Sequence, residues 1–227
     1  MIPKNIFQTH KSKEYVLKEH NLLNAILSWV QFKPEYNYYF YNDKECENFM
    51  KYKIGGDIYK AYSLLPISVM KADLWRYCII YENGGIYADV DTVCLLKPEL
   101  FINESLLTIV PENETHLCQW VFSAPKKSPI LKSVIDLSVE RILKTSEIKG
   151  EHIIHHLTGP GVFTDGIEKY LNENDLNTFN NKKDYFKYPY DILRVFNCDK
   201  FHNKMVKHLF FGQKQNGWCG ERDKYLL

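Results

Sequence analysis

A chain of 227 residues with 45% hydrophobic and 25% charged residues is long enough to bury a core without disulfide or metal staples. Its 29 basic residues nearly balance its 28 acidic ones, so no overall positive excess announces a nucleic-acid partner, and any polyanion must be met by a local site. Six scattered cysteines without a CxxC pair read as reduced thiols. No apolar run nears the roughly 18 residues of a membrane span, so the sequence predicts one cytoplasmic domain, with peripheral membrane contact left open.

The first predicted element, residues 4–10, starts apolar after Pro3 and turns polar at Gln8 and Thr9, as a buried strand does where it reaches a crevice. Leu22, Leu23, Ile26, Leu27, Trp29 and Val30 recur at helical spacing and predict a helix over 15–32, closed by Pro34. The aromatic run 36–41 has strand propensity, and Asn42-Asp43 can cap a helix from Lys44 to about Tyr52. Gly55-Gly56 breaks the chain before a short helix from about Asp57 to Leu64. This βαβα opening predicts a parallel, Rossmann-like α/β sheet, whose ligands lie beyond the carboxyl ends of its strands.

Pro66 suits the first position of the next helix, which runs through Tyr81 and stops at Asn83-Gly84. That helix is apolar nearly all round and therefore buried, yet it carries Asp73 and Arg76 on one face. Burying two charges costs several kcal/mol per ion unless they are well hydrogen-bonded, a need that either an internal ion pair or a polar ligand can meet. Gly84-Gly85 allows a tight turn, and Ile86–Val90 reads as a short buried strand. In extended chain Asp89 and Asp91 point to the same side, and two hard oxygen donors at a strand end suit Mn²⁺ or Mg²⁺ bridged to phosphate oxygens. A DxD alone is weak, since two solvated aspartates in a turn have the same spelling.

Further strands are predicted at 93–96, 108–110, 120–124, 192–197 and 205–211, the last containing His208. A helix opens at Ser128-Pro129 and runs to about Leu143, and another follows the turn Thr158-Gly159-Pro160-Gly161 to about Leu171. His152, His155 and His156 have i, i+3, i+4 spacing but no acidic or cysteine partner at a metal-site spacing, so they read as a polar helix face. Residues 172–183 are polar and Asn-rich, a surface loop, and Trp218 lies in the mixed-charge tail.

With those residues in view, the chain resembles glycosyltransferase family thirty-two, the DxD sugar transferases that include yeast Golgi mannosyltransferases and bacterial capsule or lipopolysaccharide enzymes. The matching pieces are residues 2–9, Trp29 ahead of Pro34-Glu35-Tyr36, the stretch 71–77 with Asp73 and Arg76, the stretch 81–91, and Thr158-Gly159-Pro160. The central pattern also looks like the glucosylating domains of large clostridial toxins, whose Asp and Arg on the preceding helix touch the donor sugar. The resemblance implies a GT-A fold, a mixed sheet flanked by helices in a single domain. It also implies a metal-dependent retaining transferase moving a hexose from a nucleotide-diphosphate sugar, a UDP-sugar ahead of GDP-mannose, to a glycan or lipid-linked acceptor.

On that resemblance Asp91 binds the metal directly, and Asp89 binds it through water or touches the ribose. Asp73 and Arg76 hold donor hydroxyls, while Gln8, Thr9 and Tyr87 line the nucleotide pocket. His208 and Trp218 stand for the late metal and diphosphate positions, although Asn216-Gly217 before Trp218 departs from the family's His-Ser-Trp pattern. Residues 1–110 then form the nucleotide-sugar and metal half of the domain, and 111–227 the acceptor side with the tail. Two other readings compete. Asp89-Val90-Asp91-Thr92 imitates the DxDxT of haloacid-dehalogenase phosphatases, which carry it near the chain start with a later acidic pair. A noncatalytic nucleotide-sugar-binding protein would keep the same pocket.

Overall fold

The computed structural model describes residues 1–110, 116–150, 152–176, 191–196 and 204–209. Strand β1 (Asn5–Thr9) sits inside a six-stranded mixed sheet, flanked by β2 (Asn37–Tyr41) and β3 (Gly85–Ala88), both parallel to it. Beyond β3 the sheet continues through β6 (Val121–Ala124), antiparallel to β3, then β5 (Leu107–Ile109) and β7 (Leu193–Val195). A second, two-stranded antiparallel sheet pairs β4 (Thr92–Cys94) with β8 (Val206–His208). The parallel opening expected from the βαβα pattern is present, and β6 makes the whole sheet mixed.

Side-chain alternation assigns the two faces of the sheet. Phe7 and Tyr87 point into the larger core, built with α4 (Gly56–Leu64), α5 (Ser68–Asn83), α6 (Pro129–Lys144) and α8 (Pro160–Glu173). Ile6 and Ile86 point the other way, toward Trp29 of α2 (His20–Val30). Trp29 is fully buried and its indole Nε1 donates to the Thr92 carbonyl at 2.9 Å, which ties α2 to the small sheet. The close packing of α6 on α8 depends on Gly166, where a Cβ would lie 2.6 Å from Val134 Cα.

Three helical elements depart from the sequence expectation. The helix predicted over 15–32 is two helices, α1 (Lys13–Lys18) and α2, with Glu19 extended between them. In one straight helix Val16 and Leu22 would sit about 120° apart around the axis. The break lets Val16 join Leu22, Ile26 and Val90 in one cluster. The helix after β2 begins as expected, with a capping box between Asn42 and Glu45 in α3 (Asp43–Asn48), but continues as a π-helical turn over Phe49–Ile54 that buries Met50. Helix α5 starts at Ser68 rather than Pro66, because Ile67 stays extended with its side chain fully buried. A short helix α7 (Ile153–Leu157) precedes α8. Among the described residues no helix is long and apolar enough to cross a membrane.

Candidate active site

The passage from α5 to β3 needs both glycines. Gly84 has φ +67° and Gly85 φ +125°, and a Cβ on Gly85 would lie 2.5 Å from the Asn5 carbonyl oxygen. Only a chain without side chains there can bring β3 against β1. Strand β3 then ends at Ala88, two residues earlier than expected, and Asp89-Val90-Asp91 lies in a tight turn between the two sheets. The Asp89 carbonyl accepts from Thr92 N at 3.1 Å, from Thr92 Oγ1 at 2.6 Å and from Gln8 Nε2 at 3.0 Å, while Asp89 N donates to the Trp120 carbonyl at 2.8 Å. The two aspartates therefore converge through a pinned turn, and the extended-chain argument for their shared side does not apply.

His208 arrives from the far end of the chain. Strand β8 pairs with β4 so that His208 stands opposite Thr92, and its Nε2 lies 3.5 Å from Asp91 Oδ1. One donor atom each from Asp89, Asp91 and His208 falls within 4.8 Å of the others, so these three could hold a metal ion. Two carboxylates and an imidazole suit a divalent cation that accepts both oxygen and nitrogen ligands. Among the described residues His152, His155 and His156 form no such group; His155 instead meets His116 ring to ring at 4.3 Å.

Behind the turn lies a buried charge network. Arg76 Nη2 is 3.1 Å from Asp73 Oδ1 and 3.3 Å from Asp89 Oδ1, and its guanidinium stands 4.7 Å over the Tyr87 ring. The Tyr87 hydroxyl donates to Asp89 Oδ1 at 2.5 Å. Asp73 and Arg76 are 1% and 5% exposed, so solvent screens neither. Burial drives the Asp73 carboxyl up to about 7, against the opposing pull of Arg76 and of its hydrogen bonds from Thr158 and Gln119. Burial works against the Arg76 charge too, but Asp89, Tyr87 and Asp73 outweigh it and keep the guanidinium cationic. The Tyr87 phenol is held well above its ordinary value, by burial first, and so remains a donor.

The other expected residues are distributed around this centre. Gln8 is fully buried, with both ends of its amide engaged, Nε2 by Asp89 and Oε1 by the Tyr38 hydroxyl at 2.7 Å. Thr9 Oγ1 donates to the Tyr41 carbonyl at 2.8 Å, at the carboxyl end of β1. Trp218 lies outside the described residues. Two members went unread in the sequence. Gln119 Nε2 donates to Asp73 Oδ1 at 3.2 Å, and Thr158 Oγ1 to Asp73 Oδ2 at 3.1 Å. Thr158 had a signal, since it opens the Thr-Gly-Pro turn; Gln119, just ahead of β6, had none. Both come from the second half of the chain, as does His208, so the site draws on both halves.

The arrangement is a buried Asp-Arg pair on the helix before a strand, aimed at a carboxylate turn beyond that strand. Residues 5–113 match the family described as the glycosyltransferase sugar-binding region containing DXD motif. The chain belongs to this DXD glycosyltransferase family. Among its curated relatives, the DXD-family chain is 30% identical over 220 residues to an initiation-specific α-1,6-mannosyltransferase of Candida albicans, covering 80% of the chain and 57% of that protein. It is 28% identical over 199 residues to a protein of the same description from Schizosaccharomyces pombe, covering 75% of the chain and 49% of the relative. The chain thus spans about half the length of these relatives. Its fold is of the GT-A type, similar to that of the PaToxG glycosyltransferase, with a TM-score of 0.58 at 18% identity over 77% of this chain and 72% of that one.

Proposed function

We propose that this chain is a metal-dependent retaining glycosyltransferase that moves a hexose from a nucleotide-diphosphate sugar to a hydroxyl of a glycan or lipid-linked acceptor. The observation that carries the proposal is the meeting of Asp89, Asp91 and His208 next to the buried Arg76–Asp73 pair. The first group has the donor set for Mn²⁺, or Mg²⁺, and hence for a diphosphate; the second offers charged hydrogen-bonding groups for what the diphosphate carries. The mannosyltransferase relatives shift the donor from the UDP-sugar favoured on sequence to a mannosyl nucleotide, with GDP-mannose the first to test.

In this reading Asp89 and Asp91 contribute carboxylate oxygens and His208 an imidazole nitrogen to a divalent cation, which when bound supplies Lewis-acid stabilisation of the departing diphosphate. Arg76 fixes the sugar's orientation from below, and Tyr87 and Gln8 fix the turn that carries Asp89. Gln8, Thr9 and Tyr87 belong to the nucleotide side of the pocket, with Trp218 as a candidate beside the diphosphate. Asp73 is tied to three donors at 1% exposure, which disfavours it as a covalent nucleophile. The acceptor hydroxyl therefore attacks on the face the diphosphate vacates, its oxygen bonding to the anomeric carbon as the carbon–oxygen bond to phosphate breaks. The hydroxyl proton passes to a diphosphate oxygen.

The test is release of nucleoside diphosphate from a panel of nucleotide sugars with Mn²⁺, for wild type and Asp91→Ala. Release from one donor that requires metal and vanishes in the variant supports the proposal. Thermal stabilisation by a nucleotide sugar without release, even with mannoside acceptors supplied, would favour the noncatalytic binding protein instead.

A further inference from the structure

Asp73 and Arg76 are the two buried charges of helix α5, and one neutral residue, Gln119 just ahead of β6, touches both. Gln119 makes two hydrogen bonds to the pair and one to the neighbouring Tyr77. Its Nε2 donates to Asp73 Oδ1 at 3.2 Å, its backbone carbonyl accepts from Arg76 Nη1 at 3.3 Å, and its Oε1 accepts from the Tyr77 hydroxyl. The neighbouring Trp120 carbonyl accepts from Asp89 N, so the same two residues set both the helix pair and the carboxylate turn.

The Tyr77 phenol is also 2.8 Å from the Thr158 carbonyl, and Thr158 Oγ1 donates to the other Asp73 oxygen. A phenol has one proton and cannot serve two carbonyls at once. With that proton directed to Gln119 Oε1, the amide is oriented from both ends, by the carboxylate that needs its N–H and by the phenol that reaches its oxygen. An amide is suited to this position, because it donates to Asp73 without adding charge beside it. Leucine would leave Asp73 short of a donor and glutamate would set a second carboxylate against it. Gln119 also lies beyond the stretch 5–113 that matches the family.

Resting on the transferase reading, we propose that Gln119 is a positioning residue for the donor sugar, holding Asp73 and Arg76 at the angle at which they meet the sugar, with no part in gripping the nucleotide or metal. The distinction is measurable because a nucleoside diphosphate and its sugar conjugate differ only in the part Gln119 is assigned to.

Wild type, Gln119→Leu, Gln119→Glu and Tyr77→Phe would be titrated calorimetrically with GDP and with GDP-mannose in Mn²⁺, and with UDP and UDP-glucose in parallel. Turnover would be followed for whichever sugar conjugate binds. In Gln119→Leu the affinity for the bare diphosphate stays within about twofold of wild type, while kcat/KM for the conjugate falls about 10- to 100-fold, the range seen when an orienting outer partner is lost. Gln119→Glu falls further, and Tyr77→Phe, which leaves the amide in place, falls less. Equal losses for diphosphate and conjugate, or a kcat/KM within twofold of wild type in Gln119→Leu, would overturn the assignment. Should Gln119→Leu fail to fold, Tyr77→Phe carries the same comparison, and an unchanged ratio there overturns it. Wild type that binds no sugar conjugate refutes the transferase reading, and this inference with it, before any variant is compared.

Discussion

Replacing Arg76 by methionine keeps most of the apolar stem in its place and removes the one cation shared by Asp73 and Asp89. The cost falls unequally on the two carboxylates. The Asp89 side chain is 25% exposed and can recover water, whereas that of Asp73 is 2% exposed and cannot. Removing one partner of a buried pair costs about 3–5 kcal/mol, a large part of the roughly 5–15 kcal/mol that holds a domain folded. The sign of the pH dependence follows from Asp73. Its carboxyl moves from an ordinary 3.8 to about 7 on folding, so between those values the folded state holds a proton that the unfolded chain has released, and this contribution to stability shrinks as pH rises. Without Arg76 the folded value rises further and the window extends upward. Urea unfolding followed by tryptophan fluorescence should show Arg76→Met about 4 kcal/mol less stable than wild type near pH 8, with a smaller gap near pH 6. A gap below about 1 kcal/mol near pH 8, or the same gap at both pH values, would refute the view that Arg76 neutralises a buried carboxylate.

Other expectations follow from the same geometry. Asp91→Ala should abolish Mn²⁺ binding by calorimetry, and His208→Ala should weaken it by about tenfold or more, with unchanged affinity in the His208 variant removing that residue from the metal centre. Tyr87→Phe deletes one hydrogen bond to Asp89 and should cost about 1 kcal/mol of stability while lowering metal affinity; an unaltered titration would show that the phenol does not orient Asp89. Gly85→Ala forces a Cβ into the Asn5 carbonyl at a backbone angle alanine avoids, and should cost about 3 kcal/mol or more, read as a melting temperature lower by about 6–12 °C. A loss of only a degree or two would mean that β1 and β3 can separate without penalty.

What could be read in advance was what short-range chemistry encodes. The apolar-to-polar change at Gln8 and Thr9, the Asn42 cap, the Gly84-Gly85 break and the charged pair on an apolar helix each announce themselves within a few residues, and the structure has a strand end, a capping box, a glycine turn and a buried ion pair at those positions. The break at Glu19 was hidden because the residues around it continue a helical stripe, and only the cluster with Val90 rewards the bend. The carboxylate turn was misjudged as extended strand because Asp-Val-Asp fits either, and what decides is the set of hydrogen bonds that Asp89 accepts from Gln8 and Thr92 and donates to the Trp120 carbonyl, two of these partners being remote in sequence. Gln119 and Thr158 act on Asp73 across 46 and 85 residues of chain, and no local pattern carries that information. His208 was named only through a family likeness, since a histidine in a short apolar run has no spelling of its own.

The small sheet has a consequence for how the protein assembles. Strand β8 is held to β4 by three residue pairs, extended by Leu95 N to the Met205 carbonyl and Leu209 N to the Asp91 carbonyl at 2.9 Å each, and it delivers the third of the candidate ligands. Cation affinity and the docking of this late segment are then thermodynamically linked: whatever free energy a cation gains from the imidazole, it returns as stability of the ribbon. A chain ended before residue 204 would keep both aspartates and the whole turn, yet it would hold a divalent ion less tightly. Chelation, conversely, would loosen residues 204–209 before it disturbed the six-stranded sheet, an ordering that amide exchange on the ribbon can follow.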